Sequence, residues 1–286
     1  MSLLLKKIKL VILTSVVCMS AGAQSKLETY KIYNSKGKEV SFKKMYKDIE
    51  KSSTVFLGEL HNNPISHWFY YNVIKHTFNN ISKNVQVGAE MFEKDNQILI
   101  DEYFSGIIST KKFETECRIW PNYSTDYKPT LEFCKDHNIQ FTATNIPRRY
   151  ASAIYKQGES IINDLKDEAK AWVAPYPIPY DSTLIVYNDL QSLSGHGGSN
   201  LAKAQAYKDA TMAHAIINTK KKNHIYFHLN GNKHSESHQA ILWYMSTYGD
   251  HGKTLTFHTE VNKDLSWNEK FSTKADYILV VQQDIL

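Results

Sequence analysis

The stretch Thr54-Val55-Phe56-Leu57-Gly58-Glu59-Leu60-His61-Asn62-Asn63-Pro64 decides the fold. Four apolar or β-favouring residues run straight into a polar cluster, and a helical pattern opens at the proline. A short apolar run without strict alternation suits a strand buried on both faces. The same layout recurs. Val85 to Ala89 runs into Glu90, Ile139 to Thr144 into Asn145-Ile146-Pro147-Arg148-Arg149, and Ile225 to Leu229 into Asn230-Gly231-Asn232-Lys233-His234. Thr254 to Phe257 and Tyr277 to Val281 are two more runs of strand length. Tyr30 to Tyr33 and Glu39 to Phe42 flank Asn34-Ser35-Lys36-Gly37, which reads as a hairpin turn.

Helical patterns lie between these runs. They cover Ile65 to Phe78 (Trp68, Tyr71, Ile74 and Phe78 at helical spacing), Asp95 to Ile107, Leu131 to His137, Tyr150 to Trp172, Leu201 to Asn218 and Glu236 to Tyr248. Strands alternating with helices predict an α/β fold: a mainly parallel sheet flanked by helices, with a helical subdomain inserted. The insertions fall at about 95–129 and 149–200. Pro175 to Pro179 and Gly195 to Gly198 break the second into loops.

The 286 residues are 42% hydrophobic and 22% charged, which excludes collagenous, coiled-coil and wholly disordered classes. The net charge of +5 owes three units to Lys6, Lys7 and Lys9; without them 31 basic residues face 29 acidic ones. That balance gives little support for a basic face that would bind nucleic acid. The three lysines, an apolar run from Leu10 to Met19 and Ala21-Gly22-Ala23 read as a signal peptide over 1–23, leaving an exported domain of 24–286. Cys18 follows Val17, a poor lipidation context, so a soluble periplasmic protein is expected ahead of an outer-membrane lipoprotein. In an oxidising compartment Cys117 and Cys134 either pair or stay as buried thiols.

In a parallel sheet the polar strand ends share one edge, where open α/β sheets bind ligands. Glu59 and His61 stand two apart and can share a proton or hold a metal. Glu90 needs a partner at a buried strand end; Arg149, a lysine or a backbone amide would serve. Asn145, Arg148 and Arg149 suit a carboxylate or phosphate, or an ion pair with Glu59 or Glu90. His234 is a second imidazole, and His238 would share its face if the helix were continuous. His61 and His234 are the candidates for a divalent metal. On the helix from Leu201, Met212 follows core spacing; spacing puts Asp209 at solvent or in a cap, and it stands with Asn145, Arg148, Arg149 and Tyr127 among the ligand-binding candidates. The chain has no nucleophile elbow, phosphate-binding loop or zinc-protease motif.

The ordered set Gly58 to Asn63, Gly88 to Gln97, Asp101 to Gly106, Trp120, Asp126 to Pro129, Asn145 to Arg148, Lys208 to Ala213 and Gly231 to His234 resembles the ChaN-like haem-binding, iron-regulated proteins. The resemblance implies an exported protein that binds haem between two protomers, with a tyrosine on the iron and a haem-uptake partner in the periplasm or outer membrane. It also implies distant kinship with erythromycin esterases and Tiki-type proteases, whose acidic and histidine residues map onto Glu59, His61, Glu90 and His234. Tyr127 matches the family's Asp-Tyr motif, and Arg148 and Arg149 would meet haem propionates. Three functions stay open: haem carriage, hydrolysis at the Glu59, His61, Glu90 and His234 cluster, or an exported scaffold whose polar edge binds a small anion.

Overall fold

The computed structural model describes residues 28–193 and 198–283. The expected leader and most of the Gly195 to Gly198 turn lie outside the described residues. Seven strands form one sheet: β1 (Tyr30–Asn34), β2 (Thr54–Glu59), β3 (Val85–Glu93), β4 (Gln140–Asn145), β5 (Ile225–Gly231), β6 (Thr254–Val261) and β7 (Tyr277–Val281). Their order is β1-β7-β6-β2-β5-β3-β4. Only β1 runs antiparallel, against β7. The other five pairings are parallel, which confirms the α/β reading.

Alternate residues of β2 enter different layers. Val55 and Leu57 pack with α1 (Phe42–Glu50), α2 (Pro64–Asn80), α3 (Gln97–Phe104), α4 (Thr110–Glu116) and α5 (Lys128–Asp136) on one face. Phe56 packs on the other face, in a core shared by α6 (Arg148–Gln157), α8 (Ile185–Leu193), α9 (Gly198–Thr219) and α10 (Ile241–Thr247). A one-turn helix, α7 (Asp167–Lys170), lies within the second insertion. The sheet is thus buried on both sides, as unbroken apolar strands require.

Local expectations fail in three places. The second arm of the expected hairpin shrinks to one bridge, Tyr33 to Glu39. Ser41 then caps α1 through the Lys44 amide, and Met45 and Ile49 bury one turn apart. In α2 the buried stripe runs through Phe69, Tyr70, Val73, Ile74 and Thr77, while Trp68 is 56% exposed. The segment from Glu236 is not one helix: Ser237, His238 and Ala240 take positive φ, and α10 begins at Ile241. Cys117 and Cys134 are both free and buried, so they form no disulfide.

Candidate active site at the strand edge

A cleft of about 860 Å³ opens along the C-terminal edge of the parallel strands. Glu59, His61, Glu90, His234, Asn145 and Arg148 all line it. Parallel register accounts for this convergence: Glu59 stands opposite Gly231, and Gly58 opposite His258. A register shift in β3 between Ala89 and Glu93 breaks the alternation, and Glu90 and Glu93 both reach the cleft.

The Glu59 carboxylate is buried and matched on several sides. Oε1 accepts from Tyr127 Oη at 2.7 Å and lies 2.9 Å from His61 Nδ1. His67 Nδ1 lies 3.1 Å from Oε2. Burial opposes charge here, but the hydrogen bonds from His61 and His67 prevail and hold Glu59 below the usual carboxylate range. Asn122 Nδ2 donates to the His61 carbonyl at 2.7 Å, and Trp120 meets the His61 ring edge-on. His61 Nε2 sits so close to Gly231 that a Cβ there would come within 2.7 Å. Burial lowers the His61 pKa, yet Glu59 and Glu90 together raise it above the ordinary value.

The second cluster is deeper. His234 Nε2 lies 3.0 Å from Glu90 Oε1, and Nδ1 bonds Asp209 Oδ1. Glu90 Oε2 accepts the Gly231 amide at 2.7 Å. Tyr187 Oη donates to Asp209 Oδ2 at 2.8 Å. Burial works against the His234 cation, but Glu90 and Asp209 raise its pKa to about 10. Burial likewise opposes Glu90 ionisation, and His234 still brings it down to about 2. Burial pushes the Asp209 carboxyl upward, against the lowering effect of His234 and Tyr187.

Several expectations change. Asp209 is fully buried at the site, because α9 turns that face towards the sheet. His238 is turned away by the positive-φ kink and lies 3.2 Å from Asp276. Tyr127 is buried behind Glu59 and does not line the cleft; burial drives its phenol far above the ordinary range. The arginine partners are Glu93 and Asp95, not Glu59 or Glu90. Arg148 Nε donates to Glu93 at 2.5 Å, Arg149 pairs with Asp95 away from the cleft, and Arg118 bonds both acids. A divalent metal does not fit, since both His234 nitrogens face carboxylates. Among the described residues no group of three or more His, Cys, Asp or Glu is arranged to hold an ion.

The sequence reading missed His67, Gln205, Lys208, His258 and Glu260. His258 lies within β6 and lines the same cleft, with Nε2 at 2.9 Å from Glu260 Oε1 and Nδ1 buried without a partner. Its signal was present, since β6 also runs from apolar residues into His258-Thr259-Glu260. His67 sits beside Tyr70 and Ile74 on the buried stripe of α2, a polar group at core spacing.

Known proteins share this fold. ChaN of Campylobacter jejuni, solved with cofacially bound haem, superposes with a TM-score of 0.69 at 18% identity, covering 90% of this chain and 98% of that one. A Bacillus cereus protein gives 0.47 at 11% identity (82% and 73% covered). Erythromycin esterase EreC gives 0.45 at 10% (82% and 77%). No curated protein matches the chain. The family model described as "Haem-binding uptake, Tiki superfamily, ChaN" matches residues 45–245, well over half of the sequence, and the chain belongs to that family.

Proposed function

We propose that the protein is an exported haem-binding protein of haem or iron acquisition. Membership of a haem-binding uptake family carries this reading. The cleft volume falls within the range of ligand pockets. Tyrosinate is a known oxygen ligand of haem iron. No tyrosine lines the cleft, and the buried phenols are held protonated. Tyr155 and Tyr176, exposed on the second insertion, are the ligand candidates. A single tyrosinate leaves one face of the haem open, which a second copy of the chain would cover. The leader sequence supplies export, and a periplasmic or outer-membrane partner would receive the haem.

Haemin titration of residues 24–286 tests this by the Soret band. Saturation at a simple ratio is expected, and Tyr155→Phe or Tyr176→Phe should shift the spectrum. Absence of a saturable shift overturns carriage.

A second reading, hydrolysis, rests on a separate observation: Glu59, His61, Glu90 and His234 line one cleft with their charges already set. Glu59 fixes the His61 ring through Nδ1, and Nε2 is left to take a proton from water. His234 cannot act as that base, because it keeps its proton. Hydrolysis of a p-nitrophenyl ester that is lost in His61→Ala would establish this activity. Equal rates for the two proteins would dismiss it.

A further inference from the structure

We infer that the cleft contains an oxyanion subsite, formed by the N-terminus of α6 with Arg148, Asn145 and Lys208, that receives a carboxylate of the bound ligand. The inference rests on the reading that the cleft is the ligand site, and it goes beyond that reading by naming the group recognised and the residues that recognise it.

The charges around the cleft support it. The carboxylates there are already matched to cations: Glu59 to His61 and His67, Glu90 to His234, Glu236 to Lys233 at 2.6 Å, and Glu260 to Lys274 at 2.5 Å. The cations are not all matched. Three arginines, Arg118, Arg148 and Arg149, converge on only two acids, Glu93 and Asp95. Arg148 spends Nε on Glu93, and its terminal nitrogens have no described partner. Its side chain is 63% exposed and lines the cleft. Lys208 lines the same cleft and has no carboxylate within ion-pair reach among the described residues. The terminal nitrogens of Arg148 and the Lys208 ammonium therefore face a cavity whose carboxylates are already paired with other groups.

The backbone adds donors in the same corner. α6 is ten residues long and starts after Pro147, with no side-chain cap and no acid in its first turn. The Tyr150 and Ala151 amides bond the Pro147 carbonyl, so the Arg148 and Arg149 amides are the ones left at the positive end of the helix dipole. A helix terminus alone would not make a site. Asn145, two residues upstream at the end of β4, supplies the independent sign. It is 9% exposed, lines the cleft, and its Oδ1 is buried without a partner. With Oδ1 on the buried side, Nδ2 is the half of the amide left to donate to an incoming oxyanion. A guanidinium, an ammonium, helix amides and a side-chain amide together form a carboxylate receptor.

The carboxylate has two chemical sources, a haem propionate or a small organic acid. Haemin and its dimethyl ester, which lacks the free carboxylates, separate them in the full domain. The expected result is haemin binding at least about tenfold tighter than the ester, with Lys208→Gln erasing the difference. Lys208 has no described ionic partner, so this variant should keep its fold. Arg148→Gln should act likewise, and Arg149→Gln, outside the cleft, should leave the preference intact. If the ester binds as well as haemin, citrate is titrated by calorimetry. Saturable heat lost in Lys208→Gln then assigns the subsite to a small acid. Failure of both preferences, or their survival in Lys208→Gln, overturns the subsite. Haem bound without discrimination would leave carriage standing. Citrate bound without haem would leave the subsite standing alone.

Discussion

His234 keeps its proton because Glu90 and Asp209 flank it in a buried pit. Folding raises its pKa from 6.5 to about 10, so the stabilisation it brings is complete below pH 6.5 and fades as the pH climbs to 10. Glu90 moves the other way, from 4.5 to about 2; its contribution is complete above pH 4.5 and fades towards pH 2. Urea unfolding across the alkaline range should show falling stability, and His234→Gln should flatten that fall. The same substitution leaves two buried carboxylates without a cation and should cost about 3–5 kcal/mol at pH 6. His61 gives a separate kinetic signature. Its pKa is raised, chiefly against burial by Glu59 and Glu90, so any reaction it assists as a base should speed up as the pH rises above 6.5. A flat pH–rate profile would remove it from that role. Gly231→Ala would put a methyl against the His61 ring. We expect a loss of about 1–3 kcal/mol in stability and a displaced imidazole, visible in its NMR shifts.

At the level of elements, the arginines tie the molecule together. Arg118 arrives from the first insertion and Arg148 and Arg149 from α6, and all three close on the turn after β3. Arg118→Gln should therefore cost about 1–3 kcal/mol and loosen the first insertion, measurable as faster amide exchange around Asn96, whose Oδ1 accepts the Arg118 amide. The strands were legible because β-rich apolar runs ended sharply in polar residues. The β1 partner arm was not, since Ser41 turns a strand-like pattern into a capped helix. In α2 the buried face lay one residue away from Trp68, Tyr71 and Phe78, because Trp68 sits at the surface while Phe69 and Tyr70 pack inside and His67 faces Glu59. Glu59, His61, Glu90 and His234 were legible as polar residues at strand ends. Asp209 and His67 were not, because a polar residue within a helix gives no sign of facing inward until its neighbours are known. The metal reading failed for a related reason: a second acid from α9, out of view in the sequence, takes the His234 nitrogen that a metal would need.

The whole molecule is held by packing on two faces of one sheet, without a disulfide in the described residues. Burial pushes the Cys117 thiol up to about 12 and the Cys134 thiol higher still. In residues 24–286 a thiol reagent should find almost nothing in the native protein and two thiols after denaturation, with or without prior reduction. Two thiols appearing only after reduction would show a bond absent here. No helix among the described residues is long and apolar enough to cross a membrane.

The reversed first strand has a practical consequence. Because β1 runs against the rest, its first residue, Tyr30, pairs with Val281 at the end of β7, and Gln282 bonds back to Thr29. The described chain therefore enters and leaves along the rim that carries the cleft mouth, three strand spacings or about 15 Å from β2. A tether, fusion or affinity handle joined at either side would hang beside the opening, and surface immobilisation through it would shade the entrance. A dye or linker placed in the Asn34 to Lys38 turn, at the far end of β1, would leave the entrance facing solution.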